Sequence, residues 1–164
     1  MRVTAEIQYP ASPDDVYAMR TDKAFQDRKL ERTGALSWTV EIRPDGAGTV
    51  VSSTRALPTD QVPDAFRAFV GSQITLTQTE TWGAPAADGS RDGTLVVQIG
   101  GAPVRFDARL HLAPSATGTL ESIEGDLKAS VPFLGGKIEK GAEPAVRAAI
   151  EAEERIGLEW LASS

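Results

Sequence analysis

The sequence predicts an α+β fold in which an antiparallel sheet is covered on one face by a single long C-terminal helix. Three observations carry this expectation. Period-two alternation recurs in segment after segment up to residue 131, the connections are short and rich in Gly, Pro and Asp, and the last 30 residues switch to one helical stripe. Alternation with one apolar phase marks half-buried strands. Tight turns join antiparallel neighbours, and a sheet that is dry on one face needs a cover.

The elements follow in order. Residues 2 to 9 place Val3, Ala5, Ile7 and Tyr9 on one face and Arg2, Thr4, Glu6 and Gln8 on the other, and Pro10 ends the strand. Ser12 then stands as an N-cap, with Pro13 at the first helical position and Asp14 and Asp15 in the first turn, so a short helix carrying Val16, Met19 and Arg20 follows. Thr21-Asp22 opens a second short helix through Phe25 and Lys29. Leu36, Trp38, Val40 and Ile42 alternate again, the run from Pro44 to Gly48 supplies turn residues, and Val50 to Leu57 returns as a strand stopped by Pro58. Between Asp60 and Gly71 the spacing of Val62, Phe66, Phe69 and Val70 is helical. Residues 73 to 82 form a strand with Ile74, Leu76, Gln78, Glu80 and Trp82 on one face, and 83 to 93 form a loop. Further strands are expected at about 94–99, 103–113 and 118–131, giving seven in all. A helix from about 138 to 161 carries Ile138, Ala142, Ala145, Val146, Ala149, Ile150, Ile156 and Trp160 on one stripe, with Pro144 predicting a kink or a separate first turn. No composition break divides the chain, so residues 1–164 are expected to be one domain.

Composition bounds the function. With 41% hydrophobic and 24% charged residues the chain is globular rather than disordered. A net charge of −6 and a pI of about 4.8 argue against nucleic acid and anionic membrane surfaces as partners. There is no cysteine and a single histidine, which excludes thiolate metal sites and cysteine nucleophiles and leaves little room for a Ser-His-Asp site or a multi-histidine metal site. No apolar run reaches the ~18 residues of a membrane span, and the first six residues lack the apolar core of a secretory signal, so stable membrane insertion is not expected and the location is expected to be cytoplasmic.

Two motifs carry a resemblance. The opening strand runs into Tyr9-Pro10-Ala11-Ser12-Pro13-Asp14-Asp15-Val16-Tyr17, and Val131-Pro132-Phe133-Leu134-Gly135-Gly136-Lys137-Ile138-Glu139 leads into a helix that closes on Trp160-Leu161. In this element order the chain resembles the START-like superfamily, which comprises birch-pollen-allergen-like proteins, START lipid-transfer domains and the polyketide cyclase/dehydrase group. Its tail is most similar to a functionally uncharacterised branch. The resemblance covers essentially the whole chain and implies a helix-grip fold: a curved seven-stranded sheet wrapped on the C-terminal helix around a cavity, with two short helices after the first strand. It implies binding of a small apolar or amphipathic molecule such as a lipid, sterol or polyketide, and no cofactor. No catalytic set is shared across the superfamily, so none is carried over.

Several residues are candidates for the site. Small residues on the helix stripe, Ala142 and Ala149 among them, leave volume opposite a concave sheet. Glu153 falls inside that stripe, and Gln78 and Glu80 share a face with Leu76 and Trp82, so polar groups are expected in the dry interior. Either Glu80 or Glu153 should be buried, at least one with a raised pKa, with Arg55 on the adjacent strand as counter-ion. Glu80, Glu153 and Arg55 are therefore the candidate acid/base and orienting groups. Trp38, Phe66, Phe69, Leu76 and Phe106 complete the candidate ligand lining. His111 alternates with Arg105, Asp107 and Arg109 on the wet face, and with Asp107 it makes no recognised metal site. The leading expectation is a carrier or binding protein for a hydrophobic or amphipathic ligand. The alternatives are an enzyme of the cyclase/dehydratase kind and a co-chaperone-like interaction module.

Overall fold

The computed structural model describes residues 1–62, 64, 67 and 70–164. The order is β1 (Arg2–Tyr9), α1 (Pro13–Arg20), α2 (Lys23–Arg32), β2 (Ser37–Asp45), β3 (Gly48–Pro58), β4 (Gln73–Trp82), β5 (Arg91–Ile99), β6 (Val104–Ser115), β7 (Gly118–Ala129) and α3 (Gly135–Ala162). The strands make one seven-stranded antiparallel sheet in the order β1-β7-β6-β5-β4-β3-β2. Only β1 departs from sequential pairing, docking on β7, so β1 and β2 form the two edges. Both short helices start as the caps dictate. Ser12 Oγ accepts from the Asp15 amide at 3.2 Å, and Asp22 Oδ1 accepts from Ala24 and Phe25 at 2.7 and 3.3 Å.

The register is regular, and it sets the concave face row by row. One row runs Thr49, Trp82, Gly93, Leu110, Ile123, Ala5. The next runs Ile42, Val51, Glu80, Leu95, Ala108, Gly125, Val3, and a third runs Val40, Ser53, Gln78, Val97, Phe106, Leu127. Gln78 and Glu80 therefore point inward with no bulge to turn them out. Phe106 folds its ring over Gly125, where a Cβ would come within 2.4 Å of it.

Helix α3 packs across the β1–β7 side of this face. Its ends are pinned. At the start, Glu139 Oε1 accepts from the Ala129 amide at 3.0 Å and Oε2 from the Met1 amino group at 3.3 Å. At the end, Trp160 meets Phe25 edge-to-face at 5.6 Å, and Glu159 pairs with Arg32. Gly157 lets the helix lie directly on Tyr9, whose ring a Cβ would approach to 2.9 Å.

Four details correct the sequence reading. Pro144 breaks nothing: α3 is continuous through it. The proline is exposed, so the carbonyl it leaves without a donor lies on the solvent side. β5 begins at Arg91 rather than 94, because Arg91 is anchored, stacking 3.5 Å above the Tyr17 ring and donating to Gly83 O at 2.9 Å. β7 ends at Ala129, two residues before the expected end. At the start of the 60–71 segment a 3-10 turn, Thr59–Gln61, precedes the buried Val62, while Phe66 and Phe69 lie outside the described residues. Among the described residues no helix is long and apolar enough to cross a membrane.

The close approach at Gly157 makes a test. Gly157→Ala should destabilise by about 1–3 kcal/mol through overpacking against Tyr9. Gly141→Ala, in the same helix with nothing within 4 Å of its added Cβ, should stabilise by roughly 0.5–1 kcal/mol through helix propensity. Urea unfolding of the two variants checks the opposite signs.

Candidate functional site

Arg20 closes α1 on the face that carries Pro13, Val16 and Met19, so its side chain is carried into the interior, where the residue is 1% exposed. Three carboxylates from three elements meet its guanidinium. Nη2 donates to Glu80 Oε1 of β4 at 3.0 Å and Nε reaches Oε2 at 3.4 Å. Nη1 donates to both oxygens of Glu121 of β7, at 3.1 and 3.3 Å. Nη1 also makes an ion-pair contact with Glu153 Oε1 of α3, without hydrogen-bond alignment. Gln26 Nε2 donates 2.7 Å to the Arg20 carbonyl, fixing the end of α1. Arg20 also lies 5.7 Å from the centre of the Trp82 ring.

The three carboxylates differ in what is left over. Glu80 is saturated: besides Arg20 it accepts from Gln78 Nε2 at 3.1 Å and Trp82 Nε1 at 3.2 Å. Glu121 is fully buried, and burial, with Glu153 and Glu80 adding to it against Arg20, pushes its pKa up from 4.5 to about 7. Glu153 sits at the edge, its side chain 16% exposed, with Lys29 Nζ 3.5 Å from Oε2. Burial alone would raise its pKa, but Arg20, Lys29 and Arg55 outweigh burial and hold it low. Tyr9 is buried beside them with its hydroxyl unpartnered, and burial together with Glu121 and Glu153 keeps it protonated.

Beside this cluster runs the middle of α3. Ala142, Ala149 and Ile156 lie seven residues apart, almost two helical turns, and so share one face of α3. Ala142 and Ile156 are buried, yet Ala149 between them is exposed, and so is Ala145, seven residues after the buried Ile138. Val146 and Ile150 beside them pack against the core, so the middle of the helix stays on the sheet while its Ala145–Ala149 edge faces outward. Opposite lie Leu76, Gln78, Val97 and Ile99, concave residues that are only half-buried. Arg55 shares the row of Leu76 and Trp38.

The structure thus brings together Glu80, Glu153, Gln78 and Arg55, but in other roles than the sequence suggests. The counter-ion of Glu80 is Arg20, not Arg55. The carboxyl with the raised pKa is Glu121, which the sequence reading did not single out, and that of Glu153 is lowered. Phe106, 5% exposed, is packing rather than open lining, and Trp38 is tied to α2 through its indole N–H, 3.1 Å from Asp27 Oδ1. His111 is exposed on the convex face, Nδ1 2.7 Å from Asp92 Oδ1. Both missed residues carried a signal: Arg20 falls in the apolar phase of its helix and Glu121 in that of its strand. Two hollows lie away from the cluster. One, of about 480 Å³, is lined by Thr94, Asp107, Arg109, Glu124 and Asp126, and the other, of about 370 Å³, by Thr59, Asp60, Arg67, Val70 and Gly71.

Comparison with known proteins agrees with this architecture. Residues 4–161 match a family described as a protein of unknown function (DUF2505). An uncharacterised protein of Mycobacterium tuberculosis, Rv0481c, is 23% identical over 95% of this chain and 94% of its own length. Among solved structures, TTHA0849 from Thermus thermophilus is 20% identical with a TM-score of 0.61, covering 100% of both chains. A START superfamily protein from Mycobacterium smegmatis is 14% identical with a TM-score of 0.59, covering 98% of each. The fold is the START-like helix grip.

The raised pKa of Glu121 fixes a sign. An acid that holds its proton more tightly when folded contributes stability below its unfolded pKa, and this contribution is lost as pH rises through its folded pKa, here between 4.5 and about 7. Glu121→Gln stays neutral throughout. The melting temperature of the variant should therefore climb relative to the parent across that window, by the equivalent of roughly 3 kcal/mol. A difference that is flat with pH would show that Glu121 ionises at an ordinary pKa.

Proposed function

The chain belongs to the DUF2505 family, and on its helix-grip fold we propose that it binds a small hydrophobic or amphipathic molecule in the cleft between the middle of α3 and the concave face of the sheet, residues 1–164 acting as one domain. The observation that carries this reading is the half-buried concave wall of Leu76, Gln78, Val97 and Ile99, together with the exposed small residues Ala145 and Ala149 on α3. Interiors are normally close-packed, so apolar concave residues left only half-covered beside a helix edge of small residues leave room for a ligand. Leu76, Val97 and Ile99 give that space an apolar wall, and Gln78, Glu153 and Arg55 give it a polar rim.

The cyclase/dehydratase reading has less support. Glu80 is saturated by Arg20, Gln78 and Trp82, and Arg20 is saturated by carboxylates, which leaves Glu153 as the carboxylate that borders the cleft. The co-chaperone reading rests on exposed apolar surface, and Phe133 and Leu134 are an adjacent pair of that kind, a patch well short of a protein-docking face.

The test fills the cleft. An uncharged solvatochromic dye, Nile red, should bind the protein saturably, and Ala149→Trp should abolish that binding while leaving the melting temperature nearly unchanged. Ala148→Trp, exposed and off the stripe, should bind as the parent does. Equal binding by both variants would place the dye elsewhere and remove the cleft as the site.

A further inference from the structure

We infer that the ligand of the cleft is a monoanion, a long-chain or otherwise apolar carboxylate, and that Arg55 with Lys29 holds its head group where the ion cluster meets the cleft. This rests on the cleft reading above and specifies its substrate class.

Arg20 and Arg55 are treated in opposite ways. Arg20 is met by three carboxylates. Arg55, half-buried on the concave face, has a buried Nε with no acceptor, and no carboxylate among the described residues forms an ion pair with it. Lys29 is 4% exposed, and its Nζ, 3.5 Å from Glu153 Oε2, makes no aligned hydrogen bond. Buried donors on cations are costly to leave unmade. Two such cations, on α2 and β3, border the same carboxylate, Glu153, which is already engaged by Arg20. The unfilled acceptor positions are therefore on the cleft side of Glu153.

Charge counting gives the valence. Arg20, Lys29 and Arg55 supply three positive charges, and Glu80 and Glu153 supply two negative ones. Glu121, whose pKa burial raises to about 7, is protonated in part of the population at neutral pH and then leaves one positive charge in surplus. A single negative charge matches that surplus. A dianionic phosphate would bring its second charge against Glu153 and Glu80. Burial depresses the Arg55 pKa, and a bound anion would offset that effect. From Arg55 the adjoining concave residues are Leu76 and Ile99, half-buried apolar side chains that fit an apolar tail.

The experiment compares dodecanoate, dodecanol and dodecyl phosphate as displacers of Nile red from the whole protein. Dodecanoate should bind about ten-fold more tightly than dodecanol, the worth of a charge-assisted hydrogen bond, and more tightly than dodecyl phosphate. Arg55→Gln should erase the preference for dodecanoate and leave dodecanol within about two-fold of the parent. Arg55→Lys, which keeps the charge, should retain part of the preference. Equal affinity for dodecanoate and dodecanol in the parent protein, a comparison that needs no variant to fold, overturns the anionic head group while the cleft reading stands. Tighter binding of dodecyl phosphate overturns the monoanion, and a preference that survives Arg55→Gln overturns the place given to Arg55. If none of the three displaces the dye, the cleft reading falls with the inference.

Discussion

The arrangement depends on one guanidinium. From α1, Arg20 reaches β4, β7 and α3 at once, through Glu80, Glu121 and Glu153. A buried ion cluster of this kind is a poor source of stability, because desolvation consumes most of the Coulombic gain. Its effect is to fix relative position. Three carboxylates that would repel one another and draw in water are held within reach of one cation, and any slide of α1 or α3 along the sheet would leave one of them uncompensated, at a cost of roughly 3–5 kcal/mol. The apolar surroundings make that penalty large: Trp82, Tyr9, Met19 and Leu112 are each no more than 2% exposed.

With α3 located by Arg20 from the side and by Glu139, Gly157 and Trp160 along its length, the cleft follows. The helix is pinned where its stripe carries Ile138 and Ala142 and again where it carries Ile156 and Gly157. Between them Val146 and Ile150 pack on the core, and Ala145 and Ala149 beside them are too short to extend that contact. The wall opposite changes character at the same level, from the sealed rows of β6 and β7 to the half-buried rows of β3, β4 and β5. Helix α3 contacts mainly the β1–β7 side of the sheet, and concave residues on the β4–β5 side are less covered.

Much of this was legible in the sequence. Strict alternation located the strands to within a few residues, and Ser12 and Asp22 announced both short helices, because caps and periodicity are local signals. The inward phase of Gln78 and Glu80 was also local and held. The partner of Glu80 was not legible, since Arg20 is 60 residues away and lies on an element whose docking angle no pattern encodes. Arg55 was the nearest cation in strand order, yet register seats it two rows from Glu80. Glu121 was overlooked although it occupies the apolar phase with Thr119, Ile123 and Leu127, because a lone acid there reads as a strand that has drifted out of phase. Pro144 misled for the opposite reason. Its local rule is strong, but the rule is relaxed where the lost hydrogen bond faces water.

The account turns on where an apolar molecule sits. The most direct measurement is a titration of isotope-labelled protein with dodecanol, followed by backbone amide chemical shifts. Shifts that saturate together at Leu76, Gln78, Val97, Ala145 and Ala149 are the predicted result. Shifts centred on Thr94, Asp107 and Arg109 at the convex hollow, or no saturable shift at all, would contradict it.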